Sequence, residues 1–503
     1  MSLLPPPHKP SVARREHLSE RAAGAFDALF VMVPEDADAA LLKQLPEAAR
    51  WRALVARRRP SAGAVRSTAL ANSRQTRAVL GFLRRGASPF ETLALAGRML
   101  HEVPSRELRR VALAAPGARG SGSAALQALL EAALAHGFSL PSFRSKAGAQ
   151  HALAHLELIG GRGLDLPRIL AAARANNLAR WLTALPPNKL DTRGYRGVIT
   201  RLARANGLKL RWLSERTLRR RGAHAFLAVS AGNAERTAGI AHLRYRPRRA
   251  GGGAPAVALI GKGILFDTGG TNLKPHRAML DMHTDMAGSA VALAALVALA
   301  ELRAPIAADA WLAITENRIG PSSYIPQQVV RAANGVTIQV IHTDAEGRMV
   351  LADTLALAAR TRPRFMIDFA TLTGSCVYAL TERMSGVFCN EPRLIDKLLA
   401  AGRVSGERVW SFPFDADYDS DLDSKIADVM QCAPEGKGDH ILATRFLSRF
   451  VPKEQPWAHL DLSSAMRSGG LGHINTDITG FGVRYVLELL LGQRIDAAAA
   501  ARA

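Results

Sequence analysis

Residues 254–266 read APAVALIGKGILF and lead into a polar, glycine-rich turn that begins with Asp267. The stretch is almost continuously apolar, which predicts a strand that is buried on both faces. Further along the chain, SAVALAALVALAELR (residues 289–303) predicts a buried helix and IAADAWLAITE (306–316) predicts a second buried strand. Because helices alternate here with continuous apolar runs, we expect an α/β fold with a mainly parallel central sheet.

The same alternation extends to both sides of this stretch. We expect a helix at MVLADTLALAART (349–361), and a helix followed by a strand in RGVITRLARANGLKLRWLS (196–214). Further strands are predicted at AFLAVSAG (225–232), GIAHLRYRP (239–247), VTIQVIHTD (336–344) and RFMIDFATLTG (364–374).

The first part of the chain predicts a separate, smaller α/β domain. FDALFVMVP (26–34) and RELRRVALAAPG (106–117) are typical of strands, and RQTRAVLGFLRRG (74–86) is typical of a helix. A connecting helix over about residues 166–185 ends at a Pro-Pro pair, where we place the domain boundary. The expected domains are therefore residues 1–185, with the connecting helix, and residues 186–503.

Composition excludes several classes of protein. The chain has 503 residues, 48% hydrophobic and 22% charged, so it can fill cores and is not a disordered polymer. No run approaches the roughly 18 to 20 apolar residues that span a bilayer, and a Pro-Pro-Pro run interrupts the N-terminus where a secretion signal would be apolar. Three widely spaced cysteines exclude a disulfide framework and a four-cysteine zinc ribbon. We expect a soluble, cytoplasmic protein without a membrane partner.

The net charge of +23 comes from 66 Lys and Arg against 43 acidic residues. The excess is concentrated in the first third of the chain, and most of it is arginine. A basic surface can gather nucleic acid through counterion release. Arginines scattered over solvated helix faces would give the same charge. Because no nucleic-acid motif or aromatic interleaving accompanies the arginines, we favour the scattered arrangement and expect nucleic acid only as a weak, low-salt partner.

Polar residues collect where the predicted strands of the larger domain end. In open α/β sheets the ligand site lies beyond the carboxyl ends of the strands. Asp344, Glu346 and Arg348 stand at every second position, and in an extended loop this spacing directs their side chains to one side. The set comprises Lys262, Asp267, Lys274, Asp285, Asp344, Glu346 and Arg348.

Taken singly, these residues have ordinary structural explanations. Asp285 and Asp344 can cap the helices that follow them, and the Gly-Lys-Gly around Lys262 lacks the full spacing of a phosphate-binding loop. Taken jointly, four carboxylates repel one another, and two divalent cations would neutralise them. Lys262 can be a metal ligand only if its amine is neutral, a change that direct coordination can bring about. Lys274 and Arg348 remain as cations that can polarise a carbonyl or hold an anion.

Four segments around these residues resemble the signature blocks of the leucyl aminopeptidase family, the two-metal cytosolic exopeptidases. The segments are GKGILFDTGGTNLKP, MLDMHTDMAGSA, HTDAEGRMVLADTLALA and DFATLTGSC. The similarity runs from about residue 186 to about residue 491, and no comparable block precedes about residue 150. It implies a homohexamer that hydrolyses the N-terminal residue from short peptides.

The resemblance also implies the metal ligands. Asp267 and Glu346 would bridge two divalent ions, with Zn or Mn favoured and Mg or Co as alternatives. Lys262 and Asp285 would complete the tighter site, and Asp344 the more exchangeable one. The physiological metal and the preferred N-terminal residue stay open at this point.

The remaining roles concern the reaction itself. By the resemblance, Lys274 would stabilise the oxyanion of the tetrahedral intermediate, and Arg348 would hold a bicarbonate that serves as general base. The substrate would be bound by Met282, Thr371, Leu372 and Gly374.

The sequence departs from the family pattern at His342, which stands where asparagine is usual. We expect His342 to support its loop by hydrogen bonding rather than to bind metal. The alternative hypothesis for the whole chain is a nucleic-acid-binding accessory protein that uses its basic N-terminal domain. A catalytically silent relative is disfavoured, because every expected metal ligand is present.

Overall fold

Two sheets, each with a hydrophobic core on either face, organise the chain. The structure is a computed structural model, and it describes residues 3–37, 39–56, 61–117, 121–145, 153–247 and 254–500. Along the central strands of the larger sheet, successive residues such as Val257 and Ala258 enter different cores. Burial on both faces is what the continuous apolar runs predicted, and the α/β fold class is confirmed.

The smaller sheet has six strands in the order β1-β6-β5-β2-β4-β3, and every neighbouring pair is parallel except β3 with β4. Its strands are β1 (Ser11–Arg15), β2 (Ala28–Pro34), β3 (Val65–Ala69), β4 (Arg77–Leu83), β5 (Arg110–Ala114) and β6 (His155–Ile159). The helices around it are α1 (Glu20–Ala23), α2 (Ala39–Leu42), α3 (Ala48–Ala56), α4 (Pro89–His101) and α5 (Ser121–His136), with a 3₁₀ helix at Ser105–Glu107.

The larger sheet has eight strands in the order β15-β14-β17-β13-β9-β10-β8-β7. The central four, β17 to β10, are parallel, whereas β14 runs antiparallel to β17, and β8 antiparallel to β10 and β7. A third, three-stranded sheet has the order β11-β12-β16. The strands are β7 (Lys209–Ser214), β8 (Gly239–Tyr245), β9 (Val257–Asp267), β10 (Ala308–Asn317), β11 (Val329–Arg331), β12 (Thr337–Gln339), β13 (Phe365–Ala370), β14 (Ser385–Cys389), β15 (Val409–Ser411), β16 (Val429–Met430) and β17 (Trp457–Asp461).

Helices cover both faces of the larger sheet. They are α6 (Leu166–Thr183), α7 (Thr192–Ala205), α8 (Glu215–Arg220), α9 (His224–Ser230), α10 (His276–Met279), α11 (Ala287–Glu301), α12 (Glu346–Ala359), α13 (Gly374–Leu380), α14 (Ile395–Ser405), α15 (Asp439–Ser448), α16 (Val483–Leu491) and α17 (Ile495–Ala500). The 3₁₀ helices of this part lie at Met282–Thr284, Thr381–Arg383, Pro392–Leu394 and Ala416–Leu422.

Three predictions of secondary structure were wrong. Residues 74–86 form strand β4 and not a helix, because their apolar run is buried and pairs with β2. Residues 225–232 lie largely in helix α9 and not in a strand, and a short apolar run does not distinguish the two. Of residues 336–344, only β12 is a strand, and it belongs to the small third sheet.

One stretch also corrects the expectation about membranes. The helical stretch His276–Glu301 is long and apolar enough to cross a bilayer by length and composition, yet 83% of that window is buried inside the protein. Its main helix, α11, packs into the core on one face of the larger sheet. A core helix of a soluble protein meets the same criteria, so this stretch gives only weak support for a membrane span.

Helix α6 connects the two parts of the chain. Ile169, near its start, lies in a core of the smaller sheet, whereas Leu178 and Leu182 lie in a core of the larger sheet. The helix begins at an N-cap, Asp165, whose side chain accepts a hydrogen bond from the backbone of Arg168. The domain boundary near residue 185 stays a prediction.

Candidate metal centre

Three chain segments deliver the predicted metal ligands to the carboxyl edge of the larger sheet. Strand β9 carries Lys262 in its interior and ends at Asp267. Helix α12 begins at Glu346, with Asp344 two residues before it. Asp285 lies two residues before helix α11, which packs against β9. The sequence places these residues at strand and helix ends, where side chains can converge on one point.

Lys262 lies at the centre of one half of the site. Its Nζ is 2.8 Å from Oδ1 of Asp285 and 3.0 Å from Oε1 of Glu346. It also donates to the carbonyl oxygen of Thr371 at 3.0 Å. Burial lowers the pKa of this amine, but the neighbouring carboxylates raise it more, and the pKa ends above its usual value. Cationic charge is therefore strongly favoured at this position.

Lys274 occupies the other half of the site in the same way. Its Nζ lies 3.0 Å from Oδ2 of Asp267 and 2.5 Å from Oδ1 of Asp344. Burial lowers the pKa of Lys274, while the carboxylates of Asp267, Glu346 and Asp344 raise it to a value above the usual range. Each lysine thus bridges two of the four carboxylates.

The carboxylates form a tight group. Oxygens of Asp267, Asp344 and Glu346 all lie within 4.8 Å of one another. Burial raises the pKa of Asp285 to about 6, and burial together with the charge of Asp267 holds the pKa of Glu346 well above its usual value. Oδ2 of Asp285 is buried and has no hydrogen-bond partner among the described residues. All three features indicate that negative charge is under-compensated here.

The charge balance supports a metal site. Four carboxylates against two ammonium groups leave two negative charges, and buried charges are costly unless they are paired. Carboxylate oxygens form a donor set that divalent cations accept, Zn, Mn, Mg and Co among them. The Lys262 nitrogen would join this set only if metal binding displaced a proton from its ammonium group. The residues of this cluster therefore fit divalent metal ions.

Two glycines allow the side chains to approach. A Cβ atom on Gly347 would lie 2.6 Å from both Cε and Nζ of Lys262, a separation that real Cβ atoms essentially never show. Gly269 has φ +87°, a backbone conformation that disfavours other residues, and its N–H donates to Oδ1 of Asp267 at 2.8 Å. Gly347 and Gly269 are therefore explained by the close approach of the charged side chains beside them.

The predicted substrate-binding residues lie beside this cluster. Thr371 donates from Oγ1 to Oδ1 of Asp285 at 2.7 Å, and so links the segment after β13 to the carboxylates. The backbone N–H of Leu372 is bonded to Asp461 at 3.0 Å, which leaves its carbonyl for other partners. Gly374 begins helix α13 with open space around its Cα, and Met282 lies in the 3₁₀ helix just before Asp285.

Arg348 has a carboxylate partner of its own. Its Nη2 donates to both oxygens of Asp439, at 2.8 and 2.7 Å, and its Nη1 donates to the carbonyl of Gln431 at 3.2 Å. The guanidinium is buried, with 2% of the side chain exposed, whereas the Asp439 side chain is 26% exposed. Arg348 was predicted to hold an external anion, but in the structure a carboxylate of the chain binds it.

Three residues in contact with the predicted site residues, Asn317, Asp461 and Asp439, were not predicted from the sequence. Asn317 donates from Nδ2 to Oδ1 of Asp267 at 2.8 Å and to the carbonyl of Thr343 at 3.1 Å. Asn317 and Asp461 are the last residues of β10 and β17, so the rule that located the other residues at strand ends could have found them. Asp439 follows a glycine-rich loop, and no periodicity or spacing in that loop indicates its contact with Arg348.

His342 supports the loop, as expected. Its Nδ1 accepts a hydrogen bond from the backbone N–H of Asp344 at 3.2 Å. The neighbouring Thr343 is buried and bonds the turn after β9 through the carbonyl of Gly269 at 2.7 Å. The two loops that carry the carboxylates are therefore fastened to each other.

Comparison with known proteins gives a consistent result. The sequence profile of the cytosol aminopeptidase family, catalytic domain, matches residues 177–487, more than half of the chain. A probable cytosol aminopeptidase of Synechococcus sp. (strain CC9605) is 40% identical over 319 residues, which are 63% of this chain and 64% of that protein. This chain thus spans just under two thirds of the length of that relative. The similar protein of Prochlorococcus marinus (strain MIT 9313) is 38% identical over 70% of this chain and 72% of its own length.

Solved structures match over nearly the whole chain. The bottromycin maturation enzyme BotP in complex with Mn has a TM-score of 0.81 and 30% identity, covering 93% of this chain and 99% of that chain. A tomato leucine aminopeptidase variant has a TM-score of 0.85 over 97% of this chain and 98% of that chain, and at 24% identity this match supports the fold alone. On the strength of the family profile and these relatives, the chain belongs to the cytosol aminopeptidase family.

Proposed function

We propose that this protein is a metal-dependent aminopeptidase that hydrolyses the N-terminal residue from short peptides. The observation that carries the proposal is the buried group of four carboxylates, bridged in pairs by Lys262 and Lys274. The family to which the chain belongs and its relatives named probable cytosol aminopeptidase support the activity. The cytoplasm is the proposed location, on the same grounds.

Two divalent ions, Zn or Mn in preference to Mg or Co, are the proposed cofactors. Asp267 and Glu346 would bridge them, Lys262 and Asp285 would complete one position, and Asp344 the other. The ions would supply a water molecule made acidic enough to attack at neutral pH and a Lewis acid for the scissile carbonyl. The Mn in the BotP complex supports a divalent ion in proteins of this fold.

Lys274 is proposed to act on the substrate. The neighbouring carboxylates hold its pKa above the usual range, which favours the protonated form. When the substrate carbonyl oxygen gains negative charge, a cation held in a partly buried site stabilises it strongly, because little water screens the interaction. Asp267 and Asp344 keep the ammonium group in position until the substrate arrives.

Asp439 is proposed to supply the anion that the family resemblance assigned to bicarbonate. Its carboxylate already bonds Arg348, and the Asp439 side chain is partly exposed, so solvent can reach it. Arg348 lies two residues after Glu346 on the first turn of α12, which places the pair beside the carboxylate cluster. Bicarbonate would then be unnecessary for activity.

The substrate would lie along the segment after β13. Met282 and Thr371 would line the pocket for the first side chain, and backbone groups of Leu372 and Gly374 would align the peptide. Asp461, which bonds Leu372 N and Thr373 Oγ1, fixes the conformation of this segment.

A panel of aminoacyl-arylamides tests the proposal. The protein is stripped of metal, each divalent ion is added back separately, and hydrolysis of every arylamide is followed. We expect no activity without metal and activity restored by Zn or Mn. Glu346→Gln should remain inactive with every ion, whereas Glu382→Gln, a matched change at an exposed residue, should behave as wild type. Hydrolysis that persists in metal-free protein would refute the proposal.

A homohexamer is the proposed assembly, and light scattering on a sizing column tests it. The nucleic-acid hypothesis receives no support from the fold, the carboxylate site or the relatives. We retain only the expectation that a protein of charge +23 binds polyanions weakly at low salt.

A further inference from the structure

A cavity of about 350 Å³ that shares no lining residue with the carboxylate cluster lies between the two parts of the molecule. One wall is helix α4 beside the smaller sheet, with Phe90 and Arg98. The opposite wall belongs to the larger part and includes the glycine-rich loop 469–472. The volume falls within the range of small-molecule sites.

Four arginines line this cavity: Arg98, Arg383, Arg408 and Arg467. Within the part of the chain that the structure describes, none of them forms an ion pair, and the cavity is lined by no Asp or Glu. The acid whose charge reaches Arg408 is Glu91, and that carboxylate is already bound by Arg84 at 2.9 Å and by Ser88. Four like charges therefore share a space that, among the described residues, no carboxylate lines.

The guanidinium groups also keep free hydrogen-bonding capacity. Arg408 stacks on the ring of Phe90 at 3.7 Å, and one of its Nη atoms donates to the carbonyl of Arg383 at 3.3 Å. Its Nε is buried and has no hydrogen-bond partner among the described residues. Among the described residues, the side chain of Arg98 bonds one carbonyl, that of Gly63, at 3.2 Å. Arginine donors that keep free hydrogen-bonding capacity are a usual means of holding a phosphate.

The apolar residues of the lining indicate the kind of molecule to which such a phosphate would be attached. Phe90, Leu471 and Ile474 give the cavity an apolar part beside the arginines. A bare inorganic anion would leave this part unused. A phosphate joined to an organic body would use both, with the charged end on the guanidinium groups.

We propose that this cavity is a binding site for a small organic phosphate of about mononucleotide size. The site holds the phosphate between helix α4 and the loops that carry Arg383, Arg408 and Arg467. Its ligand bridges the two parts of the chain and neutralises a cluster of arginines that otherwise repel one another. The proposal is independent of the peptidase activity, because the carboxylate cluster contributes no residue to it.

Calorimetric titration of the metal-loaded protein with AMP tests the site. We expect one AMP per chain, and at least about tenfold weaker binding by Arg98→Gln/Arg383→Gln, since each charge-assisted bond lost typically costs about that much. The matched control is Arg204→Gln/Arg219→Gln, two exposed arginines outside the cavity, which lowers the net charge equally and should bind AMP as wild type does.

A second variant protects the test against a loss of fold. Arg383→Glu puts a carboxylate beside Arg408, so we expect a melting temperature at or above that of the wild type and no rise of it on adding AMP. The wild type should melt at a higher temperature with AMP. Equal AMP binding by wild type and Arg98→Gln/Arg383→Gln, or no AMP binding by the wild type, would overturn the proposal. Duplex DNA that binds through these arginines while AMP does not would overturn it as well.

Discussion

Both carboxylate oxygens of Asp439 accept hydrogen bonds from Nη2 of Arg348, at 2.8 and 2.7 Å. The two residues lie 91 positions apart in the sequence, at the first turns of α15 and α12. The chain has thus placed a carboxylate of its own on a buried cation that lies two residues from a predicted metal ligand.

This contact predicts how the enzyme responds to bicarbonate. Wild-type activity should not change when bicarbonate is added. Asp439→Ala should lower kcat by about 10²-fold, at the low end for loss of a general base, and bicarbonate should restore part of it by entering the vacated space on Arg348. Asp439→Asn keeps that space filled and should not be rescued. Equal stimulation of wild type and Asp439→Ala by bicarbonate would contradict the assignment.

Glu346→Ala tests the bridging carboxylate. Glu346 contacts Lys262 at 3.0 Å and lies within 4.8 Å of Asp267 and Asp344, so its removal should take ligands from both metal positions. We expect activity to be abolished and the metal content, measured by mass spectrometry, to fall. If the variant still held two tightly bound metals per chain, the bridging role would be wrong.

Lys274→Ala separates chemistry from metal binding. If Lys274 meets the developing oxyanion, kcat should drop by roughly 10²–10³-fold while KM changes little. The number of bound metals should stay as in wild type. Loss of metal as the main effect, or a rise in KM alone, would show that the ammonium group has another task.

Gly347→Ala examines how closely Lys262 must approach. The added methyl group would meet Cε and Nζ of Lys262 at 2.6 Å and push the amine away from its partners. We expect weaker binding of the metal on the Lys262 side, seen as a lower occupancy at limiting metal, and a matching loss of kcat. Gly197→Ala in helix α7 is the control, because its Cβ would enter open space away from the carboxylate cluster. Full metal occupancy in Gly347→Ala would argue against contact between Lys262 and a metal.

Glu407 predicts a pH dependence of stability. Burial raises its pKa to about 7, from a usual value of 4.5, even though Arg484 and the N–H groups of Tyr485 and Gly482 oppose the shift. Between these two values the folded protein holds a proton that the unfolded chain has released. The free energy of unfolding should therefore fall as the pH rises from about 4.5 to about 7, by at most a few kcal/mol, since one pKa unit is about 1.4 kcal/mol.

Glu407→Gln is the matched variant for this effect. The amide oxygen can still accept the two backbone hydrogen bonds, but the group no longer titrates. Denaturant unfolding at pH 5 and pH 7.5 should show a smaller loss of stability in the variant than in wild type. The same pH dependence in both proteins would mean that Glu407 is already ionised at low pH.

The sequence predicted the central strands well because their burial leaves a continuous apolar pattern. β9, β10 and β13 are each such a run, and they are neighbouring parallel strands in the middle of the larger sheet. Helix α9 was missed because its capping partner is remote: Asp353, 127 residues away, accepts the N–H of Phe226 at 2.8 Å. No local pattern shows a contact of that kind.

The residues of the candidate site also divide into those that sequence patterns indicate and those that they do not. Asp267 and Glu346 could be found because they end a strand and begin a helix, positions that sequence patterns indicate. Asp439 also begins a helix, but no local pattern indicates that its carboxylate binds Arg348, which lies 91 residues earlier in the chain. The wrong prediction for β4 has a related cause: arginines flank its apolar run at both ends and imitate an amphipathic helix, whereas the run itself is buried.

Helix α6 also restricts how such genes can recombine. Its last turns, with Leu178 and Leu182, fill the core of the larger sheet, although a Pro-Pro pair follows them. A crossover at that pair, which would exchange the smaller sheet for that of a distant relative, would bring in a foreign helix and disturb the packing against α11. A crossover just before Leu166 would keep the helix with the core it fills. The segment that relatives can exchange without disturbing the core therefore ends just before helix α6, and not at the Pro-Pro pair that follows this helix.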